Sequence, residues 1–358
     1  MWTSPIESSK AVTMKVVRSL EERNWRRFVD SHPASNVFHT PEMFRVFSRT
    51  KMPPPTLWAV VDDDASVLAL LPLVQITLIN LLRRLTTRAV SYGSVLCDTG
   101  PKGRDALALL LQEYVRQVDG SLLETELRNQ TNLERVQLIL QQHGFVYEDY
   151  PIMMMQLDQS SEQVLERMSK NTRWKIRKGL RDKQVEIKEI SEKGDLDSWY
   201  TLVQMNYAFH SKRGEYAPLP DRSLFEATFD EMTPQGMAKF LLGYVDGEPA
   251  ACSLELVYGA IIHGWYAGMD RKYGRYNPGE LLMWHILKWG VENGYRMYNF
   301  GGAGRGGEQD GLRHFKAKFG ASAVCSGRNT YVHSPPLLGL NSLGFDAYRY
   351  LKALLSRF

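Results

Sequence analysis

Apolar residues along this chain recur in two rhythms that exchange places several times. Val12–Val17 reads as a first strand, and the spacing predicts helices over 21–30 and 40–48. Thr56–Val61 and Ser66–Gln75 are apolar runs on either side of the acidic turn Asp62-Asp63-Asp64, so they read as strands, and Thr86–Val95 as another. Gly100-Pro101-Lys102-Gly103 then opens a helix carrying Leu107, Leu110, Leu111 and Tyr114 on one face. Residues 121–127 are strand-like and 132–142 helical.

The second half repeats this order. Val185–Ile190 reads as a strand, 195–210 and 222–232 as helices, and 237–245, 249–257 and 260–269 as a meander with Asp246-Gly247 as a hairpin turn. Pro278-Gly279 opens a helix over 280–293, and 295–300 reads as a strand. Between the halves, Ser160 and Gln163 fit a capping box. Behind it, Val164, Met168, Thr172, Ile176 and Leu180 recur every fourth residue. The expected organisation is therefore two lobes of similar element order, 1–155 and 156–334, followed by an amphipathic helix within 335–358 beyond Pro335-Pro336. A length of 358 residues suits two domains.

A hydrophobic share of 44% and a charged share of 23% are ordinary for a globular protein. Cys97, Cys252 and Cys325 have neither metal spacing nor a disulfide pattern, which points to a reducing, cytoplasmic compartment. The N-terminal residues lack a basic start followed by an apolar run, so no secretion signal is expected. The apolar stretch Val67–Leu82 contains Pro72, Gln75, Thr77 and Asn80 and reads as strand and turn, not as a membrane span. Net charge is only +4, but residues 167–183 carry eight basic side chains against the single acid Asp182. That concentration suits phosphates or another anionic surface, with a solvated basic face as the alternative.

Candidate chemistry gathers where the strand over 295–300 runs into Gly301-Gly302-Ala303-Gly304-Arg305-Gly306-Gly307 and then a short basic helix with Phe315-Lys316 and Phe319-Gly320. The glycines literally fit a dinucleotide fingerprint. They lack its acidic residue about twenty positions on, and Glu308 and Asp310 would repel phosphate. A substrate loop or a plain turn remains. There is no zinc spacing, no G-x-S-x-G and no Walker loop. His314 beside Phe315 is a conceivable base. His263, Trp265 and Tyr266 share one strand, where packing competes with any chemical role.

The run Met269–Leu282, the helix end Glu292-Asn293-Gly294-Tyr295 and the Phe315-Lys316…Phe319-Gly320 pair resemble the Fem-type aminoacyl transferases, tandem-lobe members of the GNAT N-acyltransferase superfamily. Asn171–Lys178 is similar to the basic helix that opens their second lobe, and the match is best over 160–333. The resemblance implies an α/β (α+β) fold of two tandem GNAT-like lobes, each with a mixed, mostly antiparallel sheet flanked by helices. The second lobe would carry the active site. The implied activity is transfer of an (amino)acyl group to an amine on a cell-wall or surface-polymer precursor, a glycan or lipid-linked species. The carrier would be aminoacyl-tRNA or acyl-coenzyme A, with no tightly bound cofactor.

By the same resemblance, Lys316, with Phe315 lowering the local dielectric and Tyr266 as hydrogen-bond donor, would stabilise charge on the carbonyl or carrier. Arg173, Arg177, Lys178, Arg271, Arg305 and Arg313 would bind substrate phosphates, and the loop His210–Tyr216, with Arg213 and Tyr216, would meet the acceptor. Coenzyme A-dependent members place R-x-x-G-x-G/A before a helix. Here Arg271-x-x-Gly274-x-Tyr276 ends in tyrosine, and the helical hairpin of several Fem enzymes has no counterpart. An acetyl-coenzyme A enzyme and a non-catalytic module for tRNA or an anionic glycan stay open. So does peripheral contact of the terminal helix (Arg349, Lys352, Arg357) with the inner face of a membrane.

Overall fold

The computed structural model describes residues 13–77, 86–118, 122–212, 219–302, 304 and 310–339. In the first half, β1 (Lys15–Val17), α1 (Glu22–Ser31) and α2 (Pro41–Ser48) precede β2 (Thr56–Val61), β3 (Val67–Thr77), β4 (Thr87–Ser91) and the short β5 (Leu96–Cys97). Then come α3 (Pro101–Val118), β6 (Glu124–Arg128), α4 (Glu134–Gln142) and β7 (Val146–Glu148). Every residue of β3 from Val67 to Val74 is buried, so its continuous apolar run is that of a strand covered on both faces. Trp25 and Val29 of α1 cover one face of this sheet, and the apolar stripe Leu107, Leu110, Leu111 and Tyr114 of α3 covers the other.

The second half runs β8 (Pro151–Gln156), α5 (Ser161–Arg167), α6 (Lys170–Asp182), β9 (Val185–Glu189), α7 (Leu196–Lys212), α8 (Arg222–Met232), β10 (Ala238–Val245), β11 (Glu248–Tyr258) and β12 (Ile261–Met269). It continues with α9 (Pro278–Glu292), β13 (Met297–Gly302), α10 (Asp310–Ala317), β14 (Ser322–Cys325) and β15 (Arg328–Val332). Asp246 and Gly247 both take positive φ, 51° and 82°, which is the turn that closes β10 on β11. Helices α5, α6 and α9 pack on one face of the second sheet. Helices α7 and α8 pack on the other, where their Trp199 and Phe225 join Phe38, Met43 and Phe47 of the first lobe in one continuous core.

Two expectations are corrected. The fourfold apolar rhythm over 164–180 is not one helix: Met168 is extended, with ψ 156°, and Ser169 caps a new helix by accepting from the Thr172 amide. Leu180, the last of that series, is 53% exposed rather than buried. The sheets also do not divide as the chain does. The first has the order β1-β2-β3-β4-β6-β15-β7 and the second β14-β8-β13-β12-β11-β10-β9. Thus β8, which precedes the expected boundary at 155/156 for most of its length, belongs to the second sheet, while β15 returns to the first. The returning strand is held by more than its backbone ladder, because Arg328 Nη1 and Arg128 Nε reach the buried Glu126 carboxylate at 3.0 and 2.5 Å. Burial works against that carboxylate's charge, but Arg128 and Arg328 together hold it below the usual range. The expected terminal helix lies outside the described residues from 340 onward.

Candidate active site

The second sheet is a continuous antiparallel ladder except at one place. β12 and β13 run parallel and pair only at Ile261↔Met297, Ile262↔Tyr298 and His263↔Asn299. Beyond His263, β12 pairs only with β11, and Gly302 of β13 pairs with β8. The two strands therefore diverge, and a wedge opens at the centre of the sheet with backbone groups on both walls. Its register is irregular on each side, between Leu254 and Glu255 on β11 and between Asn299 and Gly302 on β13.

Gly264 lies just past the point of divergence, and a Cβ there would collide with the Tyr298 hydroxyl. Only glycine lets the tyrosine cross beneath the wedge. Its hydroxyl donates to Glu255 Oε2 at 2.8 Å. Burial pushes the Glu255 carboxyl up to about 7, against the hydrogen bond from Tyr298. A glutamate inside the apolar run of β11 is a signal that could have been read from the sequence, since such a group seldom enters a buried strand without a partner.

Lys316 reaches the wedge from α10. It is only 7% exposed, and its Nζ donates to the Gly302 carbonyl at 2.5 Å. Burial lowers this ammonium from 10.5 to about 8. Gly301 takes φ 74°, and a Cβ there would stand 4.0 Å from both Lys316 Nζ and the Gly264 carbonyl, so the ammonium faces the gap between the two strands. A cation held in a low-dielectric cleft between two diverging strands suits a carbonyl on which negative charge develops.

The remaining expected residues separate into groups. Phe315 turns into the second core, 5.2 Å from Phe319, with Lys318 Nζ 4.3 Å from its ring centre. Tyr266 packs at 4.9 Å against Phe225 in the core shared by the lobes; burial, then Tyr92 and Tyr207, push its hydroxyl well above its usual range. No hydrogen bond joins Tyr266 to Lys316 among the described residues. On α6, Arg173 donates to the Glu166 carbonyl at 2.6 Å, Lys178 pairs with Asp182 at 2.6 Å, and Arg177 is exposed. Arg313 and His314 are exposed on α10. The Arg271 guanidinium lies 3.3 Å above the Phe209 ring. Arg213, Tyr216 and Arg305 lie outside the described residues.

Helix α6 docks beside the start of α9, where Lys175 and Lys318 reach Glu280 at 2.8 and 3.0 Å. Burial opposes the charge on Glu280, but these two lysines hold its carboxyl below the usual range. Ahead of α9, residues 271–276 form a tight 3-10 turn. The amides of Lys272, Tyr273 and Asn277 are all taken within it, by the Asp270 side chain, the Asp270 carbonyl and the Gly274 carbonyl. Among the described residues no cluster of histidine, cysteine and carboxylate groups could hold a metal, and no helix is long and apolar enough to cross a membrane.

Residues 166–316 match the family model for an acetyltransferase (GNAT) domain. Among solved structures, FemX aligns with TM-score 0.69 at 15% identity over 91% of this chain and 99% of its own. The C-terminal domain of a candidate lysylphosphatidylglycerol synthetase from Agrobacterium fabrum aligns with TM-score 0.56 at 13% identity, covering 90% and 94% of the two chains. A tandem GNAT protein from the clavulanic acid biosynthesis pathway gives TM-score 0.55 at 13% identity, over 90% and 99%. No curated protein sequence matches.

Proposed function

We propose that this chain, a tandem-lobed acyltransferase of the GNAT fold, passes an aminoacyl group from aminoacyl-tRNA to an amine on a cell-wall or surface-polymer precursor. The observation that carries the reading is the Lys316 ammonium, desolvated and fixed by the Gly302 carbonyl where β12 and β13 part. An ester carbonyl in the wedge would develop negative charge against it when an amine attacks. The protein's contribution is then positioning and electrostatics, with no covalent intermediate required. Arg177, exposed on α6, with the half-buried Arg173 and Lys178 near it, and Arg271 and Arg313 would meet the phosphates of carrier or acceptor.

The choice of tRNA over coenzyme A rests on the turn before α9. A pyrophosphate needs free backbone amides at such a turn. Here three are already bonded, the Asp270 carboxylate caps the turn, and Tyr276 fills the position that coenzyme A-dependent relatives keep small. The likeness to a lysylphosphatidylglycerol synthetase domain, whose name specifies an amino acid on a lipid headgroup, fits the same class and a place at the membrane surface.

The test supplies the protein with radiolabelled mixed aminoacyl-tRNA or with labelled acetyl-coenzyme A, together with extracted nucleotide-linked and lipid-linked cell-wall precursors. Label should move from tRNA to precursor and stop moving in Lys316→Ala. Transfer from acetyl-coenzyme A alone would overturn the carrier. Transfer that survives Lys316→Ala, or none from the wild type, would overturn the reading itself.

A further inference from the structure

The first and second lobes enclose a cavity of about 40 Å³ against the face of β12 that looks away from Gly264. Asn36, Phe38 and Gln130 line it from the first lobe, and Tyr258, His263 and Asn299 from the second. It has room for a few water molecules or the tip of a primary amine, since one water needs roughly 10–15 Å³ by this measure. His263 and Asn299 are the last paired residues before the wedge opens, so the cavity abuts its apex.

The amides in the wall are committed. Asn299 Nδ2 donates to Gln130 Oε1 at 3.0 Å, and the Gly301 amide donates to Asn299 Oδ1 at 2.7 Å. Gln130 Nε2 donates to the Tyr92 carbonyl at 3.0 Å, and Asn36 Nδ2 to that of Gly93 at 3.3 Å. The His263 imidazole differs. It stands edge-on to Phe38 with ring centres 5.2 Å apart, and its side chain has no hydrogen bond among the described residues. Burial, and then the charge of Lys316, lower it to about 4, so it is neutral at physiological pH and senses the ammonium in the wedge.

No described residue of the cavity wall is charged. A protonated amine entering here would find no carboxylate and would feel the Lys316 cation nearby. The cavity thus favours the uncharged amine, which is the form that attacks a carbonyl.

We propose that this cavity seats the acceptor amine and that His263 accepts its proton during transfer. This rests on the acyl-transfer reading above. The amine nitrogen forms a bond to the acyl carbon, and the proton on that nitrogen moves to the free imidazole nitrogen. The bond from the acyl carbon to the carrier oxygen then breaks, and the imidazolium returns the proton to that oxygen. Burial does most to hold His263 down and the Lys316 cation adds to it; oxyanion charge growing beside Lys316 offsets that second part, so the imidazole gains basicity at the step that needs it.

The experiment compares single-turnover transfer from saturating mixed aminoacyl-tRNA to the extracted precursors in wild type, His263→Ala, His263→Gln and Lys316→Ala. Urea midpoints identify any variant that fails to fold. Both His263 variants should transfer about 100-fold more slowly with acceptor KM changed less than about threefold, and added imidazole should restore the alanine variant. If Lys316→Ala abolishes transfer while a folded His263→Gln or His263→Ala stays within about threefold of wild type, this inference falls and the acyl-transfer reading stands. If Lys316→Ala transfers normally, the acyl-transfer reading falls first.

Discussion

Replacing Lys316 by methionine should make the folded protein more stable and the enzyme inactive. Folding lowers the lysine from 10.5 to about 8, so the native state disfavours the ammonium by about 3 kcal/mol relative to the unfolded chain. Methionine keeps the apolar stem and removes that cost. It also leaves the Gly302 carbonyl without its donor, which returns about 1 kcal/mol. The expected net gain at pH 7 is therefore about 2 kcal/mol. The sign follows from proton binding. Between pH 8 and 10.5 the unfolded chain holds a proton that the folded chain has released. Wild-type stability therefore rises across that window relative to the variant, and the gap of about 2 kcal/mol closes near pH 10. Urea unfolding of both proteins at pH 7 and near pH 10, followed by tryptophan fluorescence, measures the gap, and other titrating groups cancel in the difference. A methionine variant that is less stable at pH 7, or a gap that stays constant with pH, would refute the claim that Lys316 is held in the wedge at a cost.

Gly264→Ala forces the Tyr298 hydroxyl off Glu255 and should cost about 2 kcal/mol in urea unfolding, with transfer reduced in parallel. Glu255 is an acid that folding raises from 4.5 to about 7, so its native state keeps a proton that the unfolded chain loses across that window. Stability should fall there as pH rises, and Glu255→Gln should remove the fall and gain on the order of 3 kcal/mol by pH 8, read from urea midpoints between pH 4 and 8. Reversing charge in the double variant Arg173→Glu/Arg177→Glu should weaken binding of aminoacyl-tRNA. It should also flatten the slope of log affinity against log salt by about one for each phosphate that is no longer neutralised, seen in filter binding at several salt concentrations. Stability should fall by no more than about 1 kcal/mol, since Arg177 is exposed and Arg173 gives up one hydrogen bond to the Glu166 carbonyl.

Much of the architecture could be read from the pattern of residues. The runs that became β2, β3, β10, β11 and β12 alternate or stay apolar as strands do, and the capping box at Ser160 forms as expected. The interruption between α5 and α6 escaped because the apolar stripe stays in phase across it; Ser169 was its local sign. Periodicity names a strand without naming its neighbour. Hence β15, whose partners lie about two hundred residues away, could not be assigned to a sheet from its own sequence. In the site, Lys316 stood out through its motif. His263 did not, because beside Trp265 and Tyr266 it reads as part of an aromatic strand; what distinguishes it is a cavity that only two assembled lobes create.

The return of β15 between β6 and β7 bears on how the molecule can be assembled at all. Among the described residues strand β7 pairs with its sheet only through β15, so a ribosome that has made the whole first half has still not made a finished first lobe. That lobe must wait, with a sheet edge bare, until the second half has emerged. Severing the chain ahead of Arg328 would leave two fragments, and neither would contain a complete sheet of the first lobe.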